Sequence, residues 1–321
     1  MKHNIKITPL IEQMEKLFRH TRTGSFKTRA RYKSSCRNFL DFVHKEFKLK
    51  NIKNLQDKHV VAYIKKRQEE GVSPKTIKND LVAIRYLHDM IPNAKYQLSD
   101  NDDLKKLYEL KLDKTPAVKG DRGWTDEEYR NILSFVNEKA SENKTAADTR
   151  DVMILCRTMG LRVAEAVAMK RSQAEEALRT GIYQVRGEAK NGKWRQVPLS
   201  NEARQMLLNR LKIVNRGEKV FVGPNEKTHH AINRVEKFLE NHREKFVTEE
   251  GKQKRMYKGK SSPLTFHGLR YNYVQDRIKE EMEKGYSFEQ ATSFVTKEVG
   301  HERIDVIKVY LGNKNVLLIT D

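Results

Sequence analysis

The chain has 321 residues, more than one ordinary compact domain holds, so two domains are expected, each large enough to bury a core. Its 64 Lys and Arg against 43 Asp and Glu leave a formal charge of +21, which points to a polyanionic partner, nucleic acid before a membrane surface. No run approaches the ~18 consecutive apolar residues of a membrane span, and the charged start MKHNIKITPLIEQMEK has no signal-peptide apolar region, so a cytoplasmic, nucleoid-associated protein is expected.

Residues 1–112 read as a small all-helical bundle. Thr8 to His20 can add one helix to it. Tyr32, Cys36, Phe39, Leu40, Val43 and Phe47 step by three or four and form one apolar stripe. A further helix carries Val60, Val61, Tyr63 and Ile64, and another is opened by Ser73-Pro74, with Ile77, Leu81, Ile84 and Leu87 inward. The basic faces of these helices, among them Arg29, Lys33, Arg37, Lys75 and Arg85, suit solvent and phosphate about equally in a chain this basic.

Residues 113–123, DKTPAVKGDRG, have no apolar periodicity and read as a basic linker. Thr125 with Glu128 then forms a capping box and opens an α-rich (α+β) second domain, residues 124–321. Its one strong hairpin signal alternates over 182–186, turns at Lys190-Asn191-Gly192-Lys193 and returns over 194–199. Helices are expected near 201–213, 228–246, 265–284, 287–298 and 304–311, and the basic stretch 249–262 reads as a loop. Cys36 and Cys156 sit alone in amphipathic patterns, and His229 and His230, adjacent on a helix, point in different directions. Neither a metal nor a cofactor is expected.

Four clusters in the second domain can carry chemistry, each weak alone. Gly160 ends one helix and Arg162 begins the next, where its planar fork suits phosphate oxygens and Glu165, three residues on, can hold it; alone this is a surface ion pair. Lys190, at the tip of the hairpin, can reach a bound substrate and serve as a general acid, although turn lysines are usually just solvated. His267 and Arg270 share one face at a helix N-terminus, an anion-favouring place, with His267 as a simple cap the bland reading. Gly300-His301 precedes Tyr310 by a short apolar helix; a phenol attacks phosphorus poorly until a base takes its proton and cations stabilise the oxyanion, and the preceding clusters supply both.

Together, Arg162, Lys190, His267-x-x-Arg270, Gly300-His301 and Tyr310 resemble, in order and spacing, the active-site signature of the tyrosine recombinases, the phage and transposon integrases. The resemblance covers essentially the whole chain. It implies a mainly α fold, in which an N-terminal helical core-binding bundle and a catalytic domain with a small β-hairpin clamp duplex DNA. It further implies that Tyr310 attacks the scissile phosphate to form a 3′-phosphotyrosyl bond, without metal or ATP. Arg162 and Arg270 would stabilise the phosphorane, Lys190 protonate the leaving 5′ oxygen, His267 assist proton transfer, His301 hydrogen-bond the phosphate, and Glu165 support the site. Met159, Ala166 and Val299 depart from the family's common wording without touching this chemistry, whereas Tyr271 and Tyr273 place two other phenols nearby. Lys193 competes with Lys190 because the hairpin can shift by a residue.

The implied partners are double-stranded DNA, further copies of the chain as a dimer per site and a tetrameric synapse, and accessory DNA-bending or directionality proteins. The resemblance implies that the apolar tail Val316-Leu317-Leu318-Ile319 is exchanged in trans between protomers, with packing back on its own domain physically about as favourable. Three alternatives remain open: a type IB topoisomerase, which shares this chemistry; an inactive DNA-binding regulator of the same fold; and a metal-dependent nuclease, which would need clustered carboxylates.

Overall fold

In the computed structural model Thr8 caps α1 (Pro9–Arg19), its hydroxyl accepting from the Ile11 N–H at 3.4 Å. The structure describes residues 7–21, 26–114, 120–188, 194–301 and 307–312. By internal packing the chain divides into two units, Met1–Pro116 and Ala117–Asp321.

In the first unit α1 is followed by α2 (Phe26–Phe47), a 3₁₀ turn at Ile52–Asn54, α3 (Asp57–Glu69), α4 (Pro74–Asp89) and α5 (Asn101–Tyr108). Their core joins Leu10 and Met14 of α1 to Cys36, Phe39, Leu40 and Val43 of α2, Ile64 of α3, and Ile77, Leu81, Ile84 and Leu87 of α4. Phe47 leaves this stripe; its ring packs edge-on against His59 with centroids 4.7 Å apart. Cys36 behaves as a small core residue, donating to the Ala83 carbonyl at 3.2 Å. Burial, and then the charge of Asp80, push its thiol up to about 12.

The second unit begins with α6 (Asp126–Ala140), whose capping box is formed as expected: Thr125 accepts from the Glu128 N–H at 3.2 Å, and Glu128 from the Thr125 N–H at 2.9 Å. Helix α7 (Lys144–Thr158) is central, packing against α6, α10 (Asn201–Arg210), α11 (Thr228–His242) and α13 (Phe266–Glu283). Between α7 and α10 lie α8 (Val163–Ala168), α9 (Arg171–Thr180) and the antiparallel pair β1 (Ile182–Val185) and β2 (Arg195–Pro198). The register sets Ile182 opposite Pro198 and Val185 opposite Arg195. The turn between the strands lies outside the described residues. After α13 come α14 (Phe288–Glu298) and α15 (Lys308–Leu311). These three enclose an apolar cluster of their own, in which Tyr271, Val274 and Ile278 meet Val295, Val299, Ile307 and Tyr310.

Three expectations need correction. Residues 249–262 are not a loop: α12 (Glu249–Lys254) leads into a two-residue hairpin of β3 (Met256–Tyr257) and β4 (Lys260–Ser261). The cause is Arg255, almost wholly buried, whose two Nη groups donate to both oxygens of Glu128 at 2.5 and 2.6 Å. A helix near 228–246 stops at His242 and tightens into a 3₁₀ turn, Arg243–Phe246. His229 and His230 do not diverge at the start of α11, where their rings lie 4.1 Å apart.

Candidate active site

Two glycine-closed helix ends and one buried arginine build the site. Helix α7 ends at Gly160, with φ of +59° and the Leu161 N–H reaching back to the Leu155 carbonyl at 3.5 Å. A Cβ here would lie 2.2 Å from the Tyr273 ring, so both backbone and space demand glycine. Helix α14 ends the same way at Gly300, with φ of +67° and the His301 N–H donating to the Thr296 carbonyl at 3.0 Å. Arg270, wholly buried on α13, donates Nη1 to the Gly160 carbonyl and Nη2 to the Val299 carbonyl. One guanidinium thus closes both helix ends. Its remaining donor, Nε, points at the Tyr310 hydroxyl, 3.3 Å away. Desolvation lowers the Arg270 pKa, but a guanidinium stays charged.

The Tyr310 hydroxyl also lies 3.1 Å from His301 Nε2. Its ring stacks obliquely on Tyr271, centroids 4.7 Å apart, and its carbonyl accepts from Gln275 Nε2 at 2.8 Å. The hydroxyl of Tyr273 is engaged elsewhere, donating to the Glu298 carboxylate at 2.8 Å.

Arg162 is the N-cap residue of α8: its N–H donates to Glu165 Oε2 at 2.8 Å and its Nη1 to Oε1 at 2.7 Å. The same carboxylate, 1 % exposed, receives Arg195 Nη1 and Nη2 at 3.0 and 2.6 Å. Burial alone would raise the Glu165 pKa, but the hydrogen bonds and charge of Arg195, then Arg162, hold it at about 2. Arg195 is the residue the sequence reading misses. The strand pleat signals it: Arg195 and Val197 are the buried positions of β2, and an arginine in phase with a buried valine needs a partner.

His267, in the first turn of α13, stands at the rim with its ring centroid 6.0 Å from that of Tyr310. Desolvation in the cleft, followed by the charges of Arg270, Arg122 and Arg162, brings its pKa to about 4. Because His267 is exposed, these charges are the firmer cause. A cleft of about 670 Å³ opens beside it, lined by Arg122, Arg162, Arg243, His267 and Arg270 together with Glu236 and Glu240. Arg122 was also missed; it lies in the linker stretch, where the sequence offers no phase. Trp124 anchors it, the main chain pairing with the Asn272 amide at 2.8 and 2.9 Å. Lys190 and its competitor Lys193 lie outside the described residues, as does the tail at 316–319. Among the described residues no group of three or more His, Cys, Asp or Glu is placed to hold a metal ion, and no helix is long and apolar enough to cross a membrane.

Arg162, Glu165, His267, Arg270, His301 and Tyr310 therefore converge from three helices, α8, α13 and α15, and the turn after α14. Two family models match the chain: "Phage integrase, N-terminal" over residues 7–95 and "Phage integrase family" over residues 124–315. The chain belongs to the phage integrase family. Solved structures of a site-specific recombinase and of a transposon integrase share this fold. The XerH site-specific recombinase bound to difH substrate, a pre-cleavage complex, is 17 % identical over 96 % of this integrase-family chain and 82 % of its own, with a TM-score of 0.61. Its post-cleavage complex with a palindromic difH substrate scores 0.60 at 17 % identity, over 94 % and 80 % of the two chains. The Tn1549 transposon integrase in complex with circular intermediate DNA is 15 % identical over 98 % of this chain and 100 % of its own, with a TM-score of 0.55. No curated protein matches the chain.

Proposed function

We propose that this integrase-family chain is a site-specific DNA recombinase that cleaves and rejoins duplex DNA through a 3′-phosphotyrosyl intermediate on Tyr310, using neither metal nor ATP. The observation that carries the reading is the meeting of Arg270 Nε and His301 Nε2 at the Tyr310 hydroxyl, 3.3 and 3.1 Å away. The phenol oxygen attacks phosphorus, the bond from phosphorus to the 5′ oxygen breaks, and that oxygen takes a proton, a role we assign to Lys190. His267 assists removal of the phenolic proton. Arg162 and Arg270 stabilise the charge that builds on the non-bridging oxygens, and His301 hydrogen-bonds the same phosphate. The phosphotyrosyl linkage keeps one ester bond for each bond broken, so rejoining is the same step in reverse.

Residues 1–112 take the core-binding role, residues 113–123 act as a basic linker, and 124–321 hold the chemistry. The working form is a dimer at each site and a tetramer in the synapse, assisted by DNA-bending or directionality proteins. A nicked suicide duplex carrying the site tests the reaction. The parent is expected to form an adduct resistant to denaturant, in EDTA as in buffer, and Tyr310→Phe to bind the same duplex without forming it. An adduct on the phenylalanine variant would overturn the assignment. Relaxation of supercoils without strand exchange would redirect it to a topoisomerase.

A further inference from the structure

We propose that Arg195, a residue outside the signature, is the positioning residue that locks three parts of the site into one geometry: Arg162 on α8, the β1–β2 hairpin, and the turn after α14 that carries His301. The inference rests on the proposed recombinase reading. Arg195 sits on β2, so it is continuous with the strand leading to the hairpin tip. Its two Nη groups grip Glu165, whose Oε1 also accepts from Arg162. Its Nε donates to the Glu298 carbonyl at 2.8 Å, three residues before His301. Its stem presses on the same turn: a Cβ at Gly300 would lie 2.9 Å from Arg195 Cδ. All three groups of the guanidinium are therefore committed, two to the Glu165 carboxylate and one to the Glu298 carbonyl, and Arg195 does not line the cleft. This is the arrangement of a group that acts through others.

Removing Arg195 leaves Glu165 buried with Arg162 as its ion-pair partner. The other groups facing that carboxyl are Cys156 from α7, Tyr183 from β1 and Arg270 from α13. Burial raises the Cys156 and Tyr183 pKa values, so both stay neutral, and Arg270 stays charged. Glu165 is then the group in this nest that changes charge in mildly acidic solution. Once protonated it releases Arg162. An Arg195 variant thus acquires an acid limb that a merely structural defect would not produce.

The test measures single-turnover cleavage of the nicked duplex at saturating DNA, from pH 5 to 8, for the full chain. Loss of about 1 Å in alignment costs on the order of 10²-fold, and Arg195→Met is expected to slow by about that factor with DNA affinity unchanged. Its rate should fall further below about pH 6 relative to the parent, and the extra fall should vanish in Arg195→Met with Glu165→Gln. Arg195→Lys keeps the charge opposite Glu165 but cannot also reach the Glu298 carbonyl. It should lose about tenfold without an acid limb, and it decides the matter if the methionine variant does not fold. Either variant, folded and cleaving at the parent's rate with the parent's pH profile, would overturn the inference. An inactive parent would instead sink the recombinase reading, which the adduct assay on parental protein registers separately.

Discussion

Arg270 has two tasks that are usually given to different residues. Two of its three donor groups hold main-chain carbonyls, at Gly160 and Val299, and only Nε faces the Tyr310 hydroxyl. A lysine at this position carries the charge but has no fixed fork, so it cannot close both helix ends while addressing the phosphate. Arg270→Lys is expected to cost about 10²–10³-fold in adduct formation, as loss of a preorganised donor does, and to lower the melting midpoint as well. A variant with parental melting and parental cleavage would refute the double role. The functional role proposed for this residue is suggested by His267-x-x-Arg270 only in company with the other clusters of the signature. Its structural role is not, because nothing in a sequence says which carbonyls a buried guanidinium will meet.

At the scale of elements, the boundaries that sequence announces are those with local chemistry. Thr125 and Glu128 cap α6, Ser73 and Pro74 open α4, and Gly160 and Gly300 close α7 and α14. Helix α5 has a comparable mark, Asp100 accepting from the Asp102 and Asp103 N–H groups, but little length over which apolar periodicity can show. The segment after residue 248 was misjudged for a different reason. Its basic composition suits a solvated loop, and an arginine destined for burial looks the same in sequence as one on the surface. Only the Glu128 carboxylate, 127 positions earlier, distinguishes Arg255. That pair, fully buried on both sides, fastens α12 and the small hairpin to α6. Breaking it from one side leaves a buried charge, so Arg255→Met should destabilise the chain by about 3–5 kcal/mol in urea denaturation. Glu128→Leu added to Arg255→Met should recover part of that loss. Additive losses would show that the carboxylate serves only its two helix caps, at Thr125 and Thr248.

For the whole molecule, the charge of +21 determines how binding should respond to its medium. If six to ten phosphates are contacted, affinity for DNA should fall about 10³–10⁵-fold between ~50 and ~200 mM salt. A fluorescence titration of labelled duplex at several salt concentrations reads the slope directly. A flat dependence would mean that the excess of lysine and arginine does not face DNA. Class and composition were the most legible level of all: the charge is read directly, and the order of the motifs carries the resemblance that implies a mainly helical fold. The placement of Arg195 and Arg122 was the least legible, because both depend on contacts made across the fold.

The capture of Arg270 by two helix ends has one more implication. Peptide carbonyls do not ionise, and those at the close of α7 and α14 carry the partial negative charge of their helices. The central cation is therefore held by counter-charges that acid cannot neutralise. Its direction is set before any substrate arrives, and the organisation of the centre is inherited from the backbone rather than recruited from the ligand.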